Sequence, residues 1–408
     1  MLVSSKYTQE KLVISRWLAF LVSVGVQFDL YKIGGLSLVT IVIILYIINC
    51  MSFLQKSNDY IRKYKKYISP LTWFVILLTL LNIVNINLYS RSFIPTSILI
   101  GVFLFVFTLA HISEDPKAVK YIVAGIVLGG LLMSLFFTFG IGVELDKDNG
   151  NRLTMFGFNS NNLGCLMCLS IALLLSDVII KDIFNLKALK YIFVLLIVLF
   201  VSFVFATASR TAFLCLVLIF VTVLIFSPFV RRKKTRLLLI LLLIVGSYYS
   251  YKYFLKSDVL YNRVMLTIEE EDSSGRDAIW RRLWPLVVEH PFGIGETGYT
   301  LYVKQRFNTT AIGGLASPHN VMLEVLIYTG FIGLFLYMSF WFRLISVSIR
   351  KARFDRNINP LLLMEIFTIQ MLFGQLLNIR IAWLSLAIVA VSYISRSTQQ
   401  YSNSKKTI

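Results

Sequence analysis

Apolar runs of about 20 residues recur along the whole chain, and each is long enough to cross ~30 Å of hydrocarbon as a helix. Inside a bilayer every backbone N–H and C=O must be satisfied within the segment, so such runs fold as helices. About twelve are visible: near 11–28, 34–54, 68–89, 93–112, 119–142, 157–177, 189–208, 211–229, 236–255, 318–342, 360–379 and 381–396. Arg380 alone divides the last two, so that pair can also be read differently. A soluble protein does not need 57% hydrophobic residues and a mean hydropathy of +0.75. The expected fold is therefore an all-α integral membrane protein, one polytopic unit over residues 1–408. The first run lacks a small-residue cleavage site and reads as a retained anchor.

A net charge of +19 would first suggest nucleic acid. The distribution argues against it. Lys and Arg collect in alternate loops: Lys56 to Lys66, Arg231 to Arg236, and Arg343 to Arg356. Basic residues concentrate in cytoplasmic loops, so this pattern predicts both termini in the cytoplasm and needs no nucleic-acid partner. Cys50, Cys165, Cys168 and Cys215 all fall in or beside apolar runs. Without a second pair, the Cys165/Cys168 spacing reads as small core residues and not as a metal or redox site.

One loop is long: Lys256 to Ser317, which the alternation places outside the membrane. Long loops in compact proteins are usually functional. Its acidic run, Glu269 to Asp272, reads as a solvated strip. A serine followed by Asp277 predicts a helix start. Trp280 and Trp284 lie four apart, with Leu283 and Val287 beside them and Arg276 and Arg281 flanking, as in an amphipathic helix at a membrane surface. The following turn, His290-Pro291-Phe292-Gly293-Ile294-Gly295-Glu296-Thr297-Gly298-Tyr299, lets backbone pack closely. By itself it is weak support for phosphate binding.

Ser317-Pro318-His319-Asn320 opens the next apolar run, and His319 is one of three histidines. Serine suits a helix cap and proline a first turn, so Ser317 is the expected cap. His319 and Asn320 then lie among the unpaired N–H groups of the helix start, whose dipole favours an anion and disfavours a protonated imidazole. A neutral histidine beside an anion can serve as a general base. The bland alternative is a histidine resting at a membrane interface. Arg152, Arg210, Arg276 and His319 map to one side of the membrane, and Arg281 lies in the same outer loop. Each arginine could be a snorkelling interface residue. Together, their planar forks suit the oxygens of a lipid-linked diphosphate.

Four segments resemble the O-antigen ligase and polymerase superfamily, which holds Wzy-type polysaccharide polymerases and WaaL-type ligases. They are Arg152…Gly157…Asn161-Asn162-Leu163-Gly164; Ser209-Arg210; Gly275-Arg276…Trp280…His290-Pro291-Phe292-Gly293-Ile294-Gly295; and Pro318-His319-Asn320…Leu323…Gly330…Gly333-Leu334. The resemblance covers about 150 to 342, and the last two segments are the specific ones. One departure is Ser160, where a proline between the asparagines is more usual.

The resemblance implies a GT-C-type glycosyltransferase fold with about 12 transmembrane helices in the bacterial cell membrane. It implies an active site on the extracytoplasmic face and metal-independent transfer with no cofactor. The donor would be a glycan on undecaprenyl diphosphate. Arg210 and Arg276 would stabilise the diphosphate leaving group while His319 deprotonates the acceptor hydroxyl. Arg152, Arg281, Asn320, Asn162 and Tyr299 would hold diphosphate or glycan. Tyr299, Trp280 and Trp284 are candidates for stacking on sugars or for an interfacial belt. Glu324 would pair with an arginine or satisfy a contact inside the bundle, the latter being favoured. A polymerase is preferred to a ligase because the outer loop is modest and no acceptor-binding domain follows. A chain-length regulator and a flippase are the partners implied. A transporter is the rival class, disfavoured because neither inverted repeats nor interrupted helices are visible.

Overall fold

The computed structural model describes residues 2–28, 37–55, 58–90, 92–146, 152–180, 190–226, 276–307, 318–355 and 357–391. It is mostly helical. In chain order the helices are α1 (Leu2–Gly25), α2 (Leu38–Gln55), α3 (Asn58–Val84), α4 (Thr96–Glu114), α5 (Ala118–Thr138), α6 (Ser160–Ile180), α7 (Lys190–Ala206), α8 (Arg210–Phe226), α9 (Arg276–Glu289), α10 (Gly295–Phe307), α11 (Val321–Arg350), α12 (Asn359–Phe373) and α13 (Arg380–Val391). A π-helical turn, Lys351–Asp355, extends α11 and is closed by an ion pair between its first and last residues at 2.7 Å. The apolar runs coincide with helices except 236–255, which lies outside the described residues. So do the basic run Arg231–Arg236, the acidic run Glu269–Asp272, the serines before Arg276, and Ser317.

Among the described residues, four segments are long and apolar enough to cross a membrane: Lys63–Val84, Thr96–Glu114, Ala118–Thr138 and Val321–Asp355. Shorter apolar helices accompany them, including Ser160–Ser176, Arg210–Phe226 and Arg380–Val391. Helix α6 is central. It packs against α5, α7, α8 and α12, and Asn162 to Ser176 are all buried. A helix apolar on every side is what a fully enclosed position requires. Helix α11 packs against α3, α9, α10 and α12, while α13 packs against α4.

The helical chain carries one exception. Two short antiparallel strands, β1 (Val143–Asp146) and β2 (Arg152–Met155), join α5 to α6, with Val143 opposite Met155 and Asp146 opposite Arg152. Apolar residues alternate on both strands, and pairing satisfies backbone groups that no helix takes up. Phe156 follows β2 in a left-handed conformation (φ 50°), and its ring meets Phe28 and Phe136 edge-on.

Two charged residues inside the bundle are paired. Arg16 holds Asp115 in a two-pronged contact, with Nη2 to Oδ1 at 3.0 Å. Pro70 lies inside α3 and has no N–H for the carbonyl four residues before it. That carbonyl, on Lys66, accepts instead from the Arg343 guanidinium of α11. The four cysteines are free and buried; Cys165 Sγ lies 4.0 Å from Cys215 Sγ, which fits their reading as core residues.

Candidate functional site

Helix α11 begins later than the sequence suggests. Asn320 is the cap: its backbone is extended (φ −150°, ψ 113°) and its Oδ1 accepts from the Leu323 N–H at 3.0 Å. Asparagine satisfies an orphan donor of the first turn as well as serine does. Ser317 is therefore not needed as cap, and Pro318 stands before the helix and not in its first turn. His319 sits between Pro318 and the Asn320 cap, half-buried, in the left-handed region with φ 49°. For a residue with a Cβ this conformation is held only when the surroundings fix it. One fixed point is visible: the buried Pro318 offers its carbonyl to Trp280 Nε1 at 2.8 Å.

That bond ties α9 to the histidine segment. Leu283, Leu286 and Val287 bury the inner face of α9, whereas Trp284 is 55% exposed and Arg281 points outward. Trp280 and Trp284 therefore do not act alike. Trp280 is a tether and Trp284 is a surface residue. Arg276 is the first residue of α9, one turn before Trp280.

The glycine-rich turn clasps α11. The helix breaks at Gly330 (φ 63°, ψ −164°), and a Cβ there would come within 2.2 Å of the Pro291 carbonyl oxygen. A Cβ on Gly293 would meet Gly330 N at 2.6 Å. Two backbone bonds seal the contact: Ile294 N to the Ile327 carbonyl at 3.0 Å, and Phe331 N to the Pro291 carbonyl at 3.1 Å. Asn82, near the end of α3, caps α10 from outside, its Oδ1 accepting from Glu296 N at 2.7 Å. The N–H groups of Ile294, Glu296 and Gly298 are thus used internally, and the turn is a clasp and not a phosphate cradle. The break at Gly330 also corrects the expectation of uninterrupted helices. The break is matched to the Pro291–Phe292 backbone that packs against it.

A second group forms where α6 and α8 begin. Asn159 caps α6, its Oδ1 accepting from Asn162 N at 2.9 Å. Ser160 then occupies the first helical position, a place where proline is also at home. Ser209 caps α8 by accepting from Ala212 N at 3.1 Å, and its hydroxyl also donates to Asn161 Oδ1 at 2.8 Å. A Cβ on Gly164 would lie 2.4 Å from the Ala212 Cβ, so glycine there permits the close approach. Arg210 is the first residue of α8, and Arg152 opens β2 just before α6. Asn162 is buried, at 8% exposure.

Residues 195–338 match the family model described as O-Antigen ligase. The match supports the resemblance to the O-antigen ligase/polymerase superfamily over this region. No curated protein matches the chain. The superfamily is one of membrane glycosyltransferase-like enzymes acting on lipid-linked polysaccharide. Its match takes in Arg210, Arg276, Arg281, Tyr299, His319 and Asn320, and starts after Arg152 and Asn162.

By their place in the chain the candidates fall into two groups. One holds Arg152, Asn162 and Arg210; the other holds Arg276, Arg281, His319 and Asn320. Tyr299 departs from its expected role. It is 3% exposed, and its ring lies 5.7 Å from that of Tyr328, so packing occupies the ring where a sugar would stack. Burial, and then the field of Glu324, push its phenol up. Glu324 is buried and accepts from the Tyr328 hydroxyl at 3.2 Å, the interior contact favoured from sequence. Sequence reading missed Asn82 and the tether from Trp280 to the Pro318 carbonyl. Only an asparagine two residues before a helix end hinted at the first.

Proposed function

We propose that the protein polymerises undecaprenyl-diphosphate-linked repeat units into cell-surface polysaccharide by metal-independent, inverting glycosyl transfer. The observation that carries this reading is positional. Arg210 and Arg276 each open a helix, and His319 stands immediately before the cap of another. Helix starts favour negative charge, so all three candidates lie where a diphosphate is stabilised.

In this reading the donor's lipid tail stays in the bilayer. Arg210 and Arg276 bind the diphosphate and stabilise the charge that builds as the anomeric C–O bond breaks. His319 accepts the proton of an acceptor sugar hydroxyl, and that oxygen attacks the anomeric carbon in one displacement, inverting it. Arg152 and Arg281 are secondary phosphate ligands. Asn159 and Asn320 cap the helix starts that face the substrate, with Asn162 in the first turn of α6, and Tyr299 supports the clasp beneath. The two residue groups converge around the substrate. The chain spans a bacterial cytoplasmic membrane with about twelve helices of GT-C type and both termini inside. The chemistry lies on the outer face, served by a flippase and a chain-length regulator.

The description of the matched family favours a second reading, in which the same site transfers a finished glycan to a separate lipid or protein acceptor. Purified protein given undecaprenyl-diphosphate repeat units separates them. A ladder of lengthened glycans supports the polymerase. Transfer only when a separate acceptor is added supports the ligase. No transfer in either case contradicts both.

A further inference from the structure

The far end of α11 carries a groove that glycosyl transfer does not use. It lies between α3 and α11, encloses about 500 Å³, and sits some twenty residues of helix beyond His319, roughly 30 Å at ~1.5 Å per residue. Three cations line it: Lys66, Arg343 and Arg350. Ser339 and Ser346 add hydroxyls, and no carboxylate is among the lining residues.

Positive-inside topology asks only for cations in the loop, not for their convergence on one hollow. Lys63 and Lys65, on the same helix, stay out of it. Lys66, Arg343 and Arg350 line one hollow together, and like charges held close repel unless an anion joins them. Arg343 is fixed in place because one guanidinium nitrogen satisfies the carbonyl orphaned by Pro70. A guanidinium has five N–H donors, so others remain to meet a phosphate.

The groove has an apolar side as well. Phe335 and Phe342 line it, two turns apart on one helix face, and are 73% and 58% exposed. Cations at one end and aromatic rings leading away along the helix match an anionic head group with an acyl chain. Basic pockets between membrane helices are recognised lipid head-group sites. We propose that this groove binds an anionic glycerophospholipid. Its phosphate sits among Lys66, Arg343 and Arg350, and an acyl chain lies along Phe335 and Phe342.

Native mass spectrometry of the purified full chain tests this, with phosphatidylglycerol and phosphatidylcholine added in turn. The wild type is expected to retain phosphatidylglycerol and not phosphatidylcholine, and millimolar inorganic phosphate should not displace it. Lys66→Gln combined with Arg350→Gln should weaken phosphatidylglycerol binding about 30-fold, near 5-fold per charge removed. Arg343 is left intact because it also serves the α3 backbone. Equal retention of both lipids, displacement by phosphate, or undiminished binding in the double variant would each overturn the proposal. The comparison of lipids on the wild type stands even if the variant misfolds.

Discussion

From Val321 to Gly330 every residue of α11 except Met322 is buried, whereas from Phe331 to Arg350 exposed and buried residues alternate around the helix. The first stretch is gripped by backbone. Pro291 and Ile294 bond to it directly, and a glycine on each side makes the approach possible. The second stretch is held by side chains, with Phe340 against Phe105 and Tyr337 against Phe74. A backbone clasp fixes the head of the helix, where His319 adopts an unusual conformation. A side-chain contact can be repacked and leaves room for an exposed groove. One helix thus has an end built to hold a residue still and an end free to meet its surroundings.

The largest effect expected at the gripped end is on chemistry. His319→Ala and Arg276→Ala should each lower glycan transfer by about 10²- to 10⁴-fold at normal protein abundance, measured on purified protein. Arg210→Lys should also fail, since lysine cannot meet two phosphate oxygens with one planar fork.

The next effect is on stability. Gly330→Val places a side chain against the Pro291 carbonyl in a left-handed conformation, which should destabilise the protein by roughly 3 kcal/mol or more. Ser339→Ala, in the free half, should change it by less than about 0.5 kcal/mol. Thermal midpoints in one detergent compare the two, and similar losses would erase the distinction between the ends.

Smaller still is the loss of the external cap. Asn82→Leu leaves the Glu296 N–H without its acceptor and should cost about 1–2 kcal/mol, read from the same melting curves. At the gripped end the smallest loss is that of Trp280→Phe, which removes one hydrogen bond to Pro318 and should cost about 1 kcal/mol. Its transfer rate should fall further than its stability, because the bond anchors the residue next to His319.

Helices were legible because membrane spans depend on local composition. The hairpin was not, although Val143, Leu145, Leu153 and Met155 alternate and Asn149-Gly150 carries a hairpin-turn pattern. Four-residue strands beside long apolar runs give a faint signal. The cap at Asn320 was missed because Ser317 fits the same local rule, and only geometry chooses between them. The break at Gly330 depends on Pro291, some forty residues earlier, and a lone glycine in an apolar helix rarely marks a break. Arg343 answering Pro70 is likewise a contact across the fold that no local pattern contains. The candidate residues themselves were legible as types at helix starts. Their tethers were not.

The central claim is that α11 presents His319 as the base of a glycosyl transfer. The most direct test compares purified wild type with His319→Ala in transfer from undecaprenyl-diphosphate-linked repeat units, after matching thermal midpoints. The account predicts an unchanged midpoint and a lost product ladder. A ladder of wild-type intensity from the folded variant would contradict it.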